Sequence, residues 1–268
     1  WSDAAERAEL IFSATYPSVY RHMQKFEGAL KGRMDNIKFW WELRSCAYWE
    51  TFSAPRIIWP DITNCPRFAI DHSGSLIGDT SFMVPNDDGF LLGVLASWAT
   101  WFFISKTAQP LRLRSNRWQY RLKAQYMEHI PIPDAPESEK QVIADLARKC
   151  STFGQERYQA QIKVQRRLLQ AFAGDSGNLL NQKAEAWWEH DLIPLGEALK
   201  QSFKLPSNPM KNPRIADEWE SYLIEKRSEH TRLTKALNAA ETEINDRVYR
   251  LFDLTPDEIR LLQKEVEH

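Results

Sequence analysis

The spacing of hydrophobic positions changes along this chain, and the change falls near residue 136. After that point apolar residues recur every three or four positions, as they do on one face of a helix. This spacing predicts helices over residues 138–172, 179–203 and 233–251. Ser138 and Gln141 have the spacing of a capping box for the first of these helices. The second half is therefore predicted to be a helical bundle or an antiparallel helix pair.

One more helix is predicted near the end of the chain. Thr255 is suited to cap its start, Pro256 is favoured in the first turn, and Glu258 follows the cap by three residues. These residue types in this order predict a helix that begins just after Thr255.

The first half mixes helical spacing with short runs of β-branched and aromatic residues. Helical spacing occurs near residues 3–13, 17–31 and 39–50. Strands are predicted at residues 55–60, 67–70 and 81–84. A continuous apolar run over residues 90–104 predicts one buried helix, and Ile130-Pro-Ile-Pro133 ends this half. We therefore predict an α+β protein with a mixed α/β domain over residues 1–136 and a helical domain over residues 137–268.

Composition narrows the class of protein. The 268 residues are 43% hydrophobic and 26% charged, as in ordinary globular proteins. The 35 Lys and Arg residues nearly balance 36 Asp and Glu residues, so any site for a polyanion must be local. Three widely spaced cysteines argue against a disulfide scaffold and predict a cytoplasmic protein. The apolar run is shorter than the roughly 18–20 residues of a membrane span, so we expect no membrane partner.

Motifs of the common enzyme classes are absent from the sequence. It contains no Gly-x-Gly, no Gly-Lys-Ser/Thr, no His-Glu-x-x-His and no Cys-x-x-Cys. Nucleotide-binding loops and zinc sites are usually built from these patterns. We therefore expect no catalytic residue, no metal site and no cofactor within this chain. Because the first residue is not Met, we also expect the chain to be part of a longer polypeptide.

The segment between Trp101 and Met127 concentrates positive charge and contains no acidic residue. Arg can fork onto guanine O6 and N7, Asn and Gln can pair similarly with adenine, and Lys and Arg neutralise phosphates. This mixture predicts a DNA-binding segment. Its candidate residues are Lys106, Arg112, Arg114, Asn116, Arg117, Gln119, Tyr120, Arg121 and Lys123. The spacing leaves open a solvated basic face whose side chains pair with acids elsewhere.

Several motifs, taken in order, resemble the target recognition domain of adenine-specific DNA methyltransferases. The resemblance is to the large fused restriction-modification enzymes of type IIG and their relatives, which carry a TaqI-like specificity domain. Ala96 stands where the leucine-rich helix of that family usually has Asn. The motifs are Trp41-Glu-Leu-Arg44 with Tyr48 and Phe52, Pro55–Ile62, Leu91–Ser97, Ile130–Pro133 and Asp246–Ile259.

The resemblance implies a role in DNA recognition without catalysis. Residues 1–136 would be the DNA target recognition domain and residues 137–268 a helical spacer domain. In such enzymes a separate upstream domain binds S-adenosylmethionine and methylates adenine in an Asn/Asp-Pro-Pro-Tyr/Phe pocket. That motif is absent here. The implied partners are therefore double-stranded DNA and an upstream methyltransferase domain of the same polypeptide, and S-adenosylmethionine belongs to the parent enzyme.

Two other functions remain open from the sequence. A specificity subunit of a type I restriction system would alternate two recognition domains with helical spacers, and only one such half is visible. A helical protein-interaction scaffold with no DNA role would fit the near-neutral charge, but not the acid-free basic segment.

Overall fold

A computed structural model describes residues 2–34, 38–42, 46–114, 116–174 and 179–267. Contacts divide the chain into two compact units, Trp1–Ser53 and Ala54–His268. The architecture is α+β, as predicted from the sequence: small antiparallel sheets are followed by long helices.

The first unit is helical and rich in aromatic residues. It contains α1 (Ser2–Thr15), α2 (Pro17–Gln24), α3 (Glu27–Lys31) and a 3-10 turn at Trp49–Ser53. Phe12 of α1 stacks on Trp41 with 5.4 Å between ring centroids. The helix predicted over 39–50 is not formed at its described residues, which are bends, turns or irregular backbone up to Tyr48. Residues 43–45 of that segment lie outside the described residues.

A three-stranded antiparallel sheet opens the second unit. Its strands are β1 (Arg56–Pro60), β3 (Ala69–Asp71) and β4 (Ser81–Val84), with β1 in the centre. The short β2 (Ile62–Thr63) belongs to a second sheet. Alternation along β1 directs Ile57 and Trp59 into the core. The three predicted strands are thus confirmed, the second displaced by one or two residues.

The apolar run forms two helices rather than the single helix predicted over 90–104. These are α4 (Gly89–Leu95) and α5 (Trp98–Thr107), which are bent by 57°. Ser97 ends one helix and caps the other, because its hydroxyl accepts a hydrogen bond from the Thr100 N–H. The carbonyl oxygen of the Asn245 side chain accepts a second, from the Trp98 N–H, at 2.7 Å.

No single helix among the described residues has both the length and the apolar composition needed to cross a membrane. In the described part of the chain, the bent pair α4–α5 meets both criteria when its two helices are taken together.

The basic segment folds as a β-hairpin of β5 (Pro110–Arg114) and β6 (Arg117–Arg121), followed by the short α6 (Ala124–Met127). In the second sheet β6 lies between β5 and β2. These two strands were not predicted from the sequence.

Two long antiparallel helices dominate the rest of the second unit; the first confirms the helix predicted over 138–172, and the second contains the one predicted over 233–251 but begins at Pro213. They are α7 (Glu137–Phe172) and α10 (Pro213–Leu251). Residues from the start of one meet residues from the end of the other: Arg247 donates to Glu139 at 2.9 Å, and Arg167 donates to Glu218 at 3.1 Å. Between them along the chain lie α8 (Gln182–Glu185), α9 (Leu192–Phe203) and 3-10 turns at Trp187–Glu189 and Pro209–Lys211.

The helix ends confirm some of the predicted signals and correct others. Thr255 and Glu258 form the predicted reciprocal cap at the start of α11 (Pro256–Glu267). The capping box predicted at Ser138 is wrong, because α7 begins at Glu137 and its cap residue, Pro136, offers no side-chain hydrogen bond. The helix predicted over 179–203 is interrupted around Trp187, whose indole ring is fully buried.

One hydrophobic core joins the two sequence regions that meet at residue 136. Trp59 and Leu92 from the first region share it with Ile143 and Ile244 from the long helices. The division seen in the contacts therefore falls at residue 53, because the ends of α7 and α10 pack beneath α4 and α5. The assignment of DNA recognition to residues 1–136 and of a spacer role to residues 137–268 stays a prediction.

The packing of α4 on α7 yields a first stability prediction. A Cβ added at Gly93 would lie 2.5 Å from the Cγ2 methyl of the fully buried Ile143. We expect Gly93→Ala to lower the free energy of unfolding by about 1–3 kcal/mol, because an overpacked core must shift. Urea denaturation of the full chain measures this.

Gly154 of α7 provides the matched control, since a Cβ there meets nothing within 4 Å. Gly154→Ala is expected to stabilise the protein by about 0.5–1 kcal/mol through helix propensity alone. Equal effects of the two substitutions would show that α4 does not pack against α7 at Gly93.

Candidate nucleic-acid interface

The hairpin β5–β6 arranges the basic segment on a two-stranded ladder, whose register shifts between Pro110 and Arg112. Arg114 lies opposite Arg117, Leu113 opposite Trp118, and Arg112 opposite Gln119. Asn116 adopts a positive φ of 62° in the connection, a conformation that Asn tolerates better than most residues. The adjacent Ser115 lies outside the described residues.

Strand geometry separates the side chains of the hairpin into two faces. Directly opposed residues share a face, and successive residues alternate between faces. Arg112, Arg114, Arg117 and Gln119 therefore lie together on one face, which we call the arginine face. The Arg112 Nε donates to the Gln119 Oε1 at 2.7 Å, which holds two of these side chains side by side.

The opposite face is apolar. It carries Leu113 and Trp118, which are 54% and 47% exposed, and Tyr120 nearer the base. Tyr120 packs edge-on against the buried Trp101 of α5, with 5.7 Å between ring centroids. Burial raises the pKa of the Tyr120 hydroxyl above its ordinary value.

The base of the hairpin is held firmly in the body of the second unit. The Trp59 indole N–H donates to the Leu122 carbonyl at 2.9 Å, and the Leu122 N–H donates to the Asp61 carbonyl at 2.7 Å. Leu122 itself is fully buried. The hairpin is therefore fixed at the end near Leu122, and its residues near the turn are largely exposed.

Ion pairs divide the predicted DNA-binding residues into two groups. Lys106 lies 2.5 Å from Glu265, and Arg121 lies 2.5 Å from Asp61, so both are partnered within the fold. The remaining cations make no ion pair with an acidic residue that the structure describes. They are Arg112, Arg114, Arg117 and Lys123.

The structure thus brings five of the nine predicted residues together at the hairpin tip. These are Arg112, Arg114, Asn116, Arg117 and Gln119. Tyr120 packs on the core, Arg121 holds Asp61, Lys106 lies in the last turn of α5 and Lys123 is the exposed cap residue of α6. Sequence reasoning missed the strands, although Leu111-Arg-Leu-Arg114 shows the period-two alternation that signals one.

A cavity of about 660 Å³ in the second unit is lined by residues of β3, α4, α7 and α10 and by Arg117 of the hairpin. Cys150 lines it, and burial raises the pKa of this thiol to about 11. The thiol is therefore protonated at neutral pH and a poor nucleophile. Among the described residues, no group of three or more His, Cys, Asp or Glu side chains could hold a metal ion.

Comparison with known families adds one observation. Residues 136–248 match a family described as a domain of unknown function (DUF8810). The match covers α7 to most of α10 and excludes the hairpin. No curated protein and no solved structure matches the chain.

Proposed function

We propose that this chain is the sequence-specific DNA recognition module of an adenine-specific DNA methyltransferase or restriction-modification enzyme, and that the hairpin β5–β6 reads the DNA. The observation that carries the proposal is the arginine face, a set of three exposed arginines and a partly buried glutamine on a two-stranded ribbon. A ribbon of this kind fits the major groove of B-form DNA, where Arg reads guanine and Gln reads adenine.

The arginines of the arginine face make no ion pair with a described acidic residue, which supports DNA binding over a basic surface that is only solvated. A solvated basic face usually pairs with nearby acids, as Lys106 does with Glu265. The arginines of the arginine face are instead close to one another, with Arg114 directly opposite Arg117. Like charges directly opposite each other destabilise a sheet. Phosphate groups bound between Arg114 and Arg117 would offset this repulsion.

The parent enzyme and its cofactor follow from the sequence resemblance. In this proposal an upstream methyltransferase domain of the same cytoplasmic polypeptide binds S-adenosylmethionine and transfers the methyl group. The present chain selects the site on double-stranded DNA, and the antiparallel pair α7–α10 serves as the spacer against which α4 and α5 pack.

Selection from a library of random duplexes tests the proposal. The full chain is expected to enrich one short site after a few rounds, because base-edge contacts discriminate each position by roughly 1–3 kcal/mol. The variant R112K/R114K/R117K keeps the charge but lacks the fork of the guanidinium. It should still retain DNA while enriching the site poorly.

Two outcomes would contradict the proposal. A wild-type selection that enriches no sequence removes sequence recognition, and a scaffold without a DNA role then becomes the better assignment. Equal enrichment by the lysine variant would place base reading outside the arginine face.

A further inference from the structure

A cavity of about 330 Å³ lies beneath the apolar face of the hairpin, where that face overlooks α5 and α11. Three aromatic side chains line it: Trp118 and Tyr120 from β6, and Trp101 from α5. Trp118 is half exposed, whereas Trp101 is almost fully buried and forms the floor with Tyr120. Exposed aromatic rings with a free face are the platforms on which unstacked nucleobases bind.

Polar groups in the same cavity are suited to a base edge. Asn64 lines the cavity, and its side-chain amide makes no hydrogen bond with any residue that the structure describes. That amide offers two donors and an acceptor, the set that Asn uses to contact adenine. Ser105 also lines the cavity, and its hydroxyl donates to the Phe102 carbonyl while its lone pairs remain as acceptors.

The charges at the cavity favour an anionic ligand. Lys106 lines it beside the single carboxylate of Glu265, and Arg117, the arginine-face residue next to Trp118 in the strand, borders it. The pair between Lys106 and Glu265 is about half exposed at both side chains. Exposed pairs of this kind contribute little free energy, so a phosphate can take the place of Glu265 beside Lys106.

We propose that this cavity binds a single unstacked nucleotide, with its base on Trp118 and its phosphate beside Lys106. The volume is at the small end of ligand pockets, which suits one nucleotide rather than a longer segment. We take the nucleotide to be an unpaired one in the duplex that the hairpin binds, and this choice of source rests on the proposed function. A free nucleoside monophosphate has the same chemistry and is the second source to be tested.

Equilibrium dialysis of the full chain with each of the four deoxynucleoside monophosphates tests the site itself. Trp118→Ala is expected to weaken binding at least about fivefold, the smallest loss typical of a base–aromatic stack. Trp118→Phe keeps a ring and should retain most of the affinity. Trp49→Ala is the matched control, because Trp49 is 48% exposed and lies in the first unit, outside the cavity lining.

A pair of duplexes distinguishes the two sources. One is fully paired and the other carries a single unpaired nucleotide, which needs less free energy to leave the stack. The wild-type chain should bind the second duplex at least about fivefold more tightly, and Trp118→Ala should remove that preference. Nucleotide binding without this preference overturns the duplex as the source and leaves a site for a free nucleotide.

Different results would overturn the nucleotide site and the proposed function. If no nucleotide binds, or if Trp118→Ala and Trp49→Ala behave alike, the cavity site is overturned while recognition by the arginine face stands. If duplex binding is insensitive to the arginine face but nucleotides still bind through Trp118, the proposed function fails and the nucleotide site remains.

Discussion

Replacing Arg112, Arg114 and Arg117 together with alanine is expected to lower the affinity for the selected duplex by at least about 100-fold. The three guanidinium groups share the arginine face and have no acidic partner among the described residues. Each lost base contact weakens only the selected site. Each lost phosphate contact weakens all duplexes and reduces the slope of log affinity against log salt by about 0.9.

Fluorescence anisotropy at several salt concentrations separates these contributions, with the selected duplex and a scrambled one. The matched control is R166A/R214A/R232A, which removes the same charge from exposed arginines of the helical part. This control should change the affinity less than about threefold, because long-range charge effects are screened by salt. Equal losses in the two triple variants would mean that only net charge matters and that the hairpin does not read DNA.

Asp71→Ala is expected to lower the free energy of unfolding by about 3 kcal/mol, because it removes the carboxylate from a buried ion pair. Arg56 of the central strand β1 is fully buried and pairs with Asp71 of β3. Arg56 also donates to the Ser75 carbonyl. Urea denaturation of the full chain at pH 7 measures the loss.

Asp145→Ala is the control for this prediction. It breaks another Arg–Asp pair, with Arg148, in which both side chains are more than half exposed. Its expected effect is within about 0.5 kcal/mol. If the two substitutions destabilise the chain equally, burial does not determine the contribution of the Arg56–Asp71 pair.

The same pair has a predicted pH dependence. Hydrogen bonds from the Ser73 hydroxyl and N–H, and then the charge of Arg56, lower the pKa of Asp71. A carboxylate with a lowered pKa stabilises the folded state above its unfolded pKa, which is about 3.9, and this stability is lost as the pH falls through the folded value. The difference in stability between wild type and Asp71→Ala should therefore shrink below about pH 4.

Local sequence determined most of the helical architecture. The three-and-four spacing of apolar residues predicted the long helices, and Thr255 with Glu258 predicted the start of α11, because caps and amphipathic faces depend on residues a few positions apart. The strands at 55–60 and 81–84 were predictable for the same reason.

Long-range contacts decided where the sequence prediction was wrong. At the break between α4 and α5, Ser97 caps α5 locally, whereas the Trp98 N–H donates to Asn245, which lies 147 residues further along the chain. The interruption near Trp187 accompanies the burial of that indole against α10, where its ring meets His230 at 6.1 Å between centroids. Such contacts override helix propensity because tertiary burial outweighs the small differences between residues.

For the candidate site, the sequence alone determined that positive charge, amides and aromatic rings are concentrated between Trp101 and Met127. The tertiary structure decided which of these side chains lie together. The register of the hairpin ladder placed three arginines on one face. Lys106 is neutralised by Glu265 and Arg121 by Asp61, and the partners in each pair are more than 50 residues apart along the chain. Charge is a property of each residue, whereas its availability to a ligand depends on which opposite charges the fold brings within contact distance.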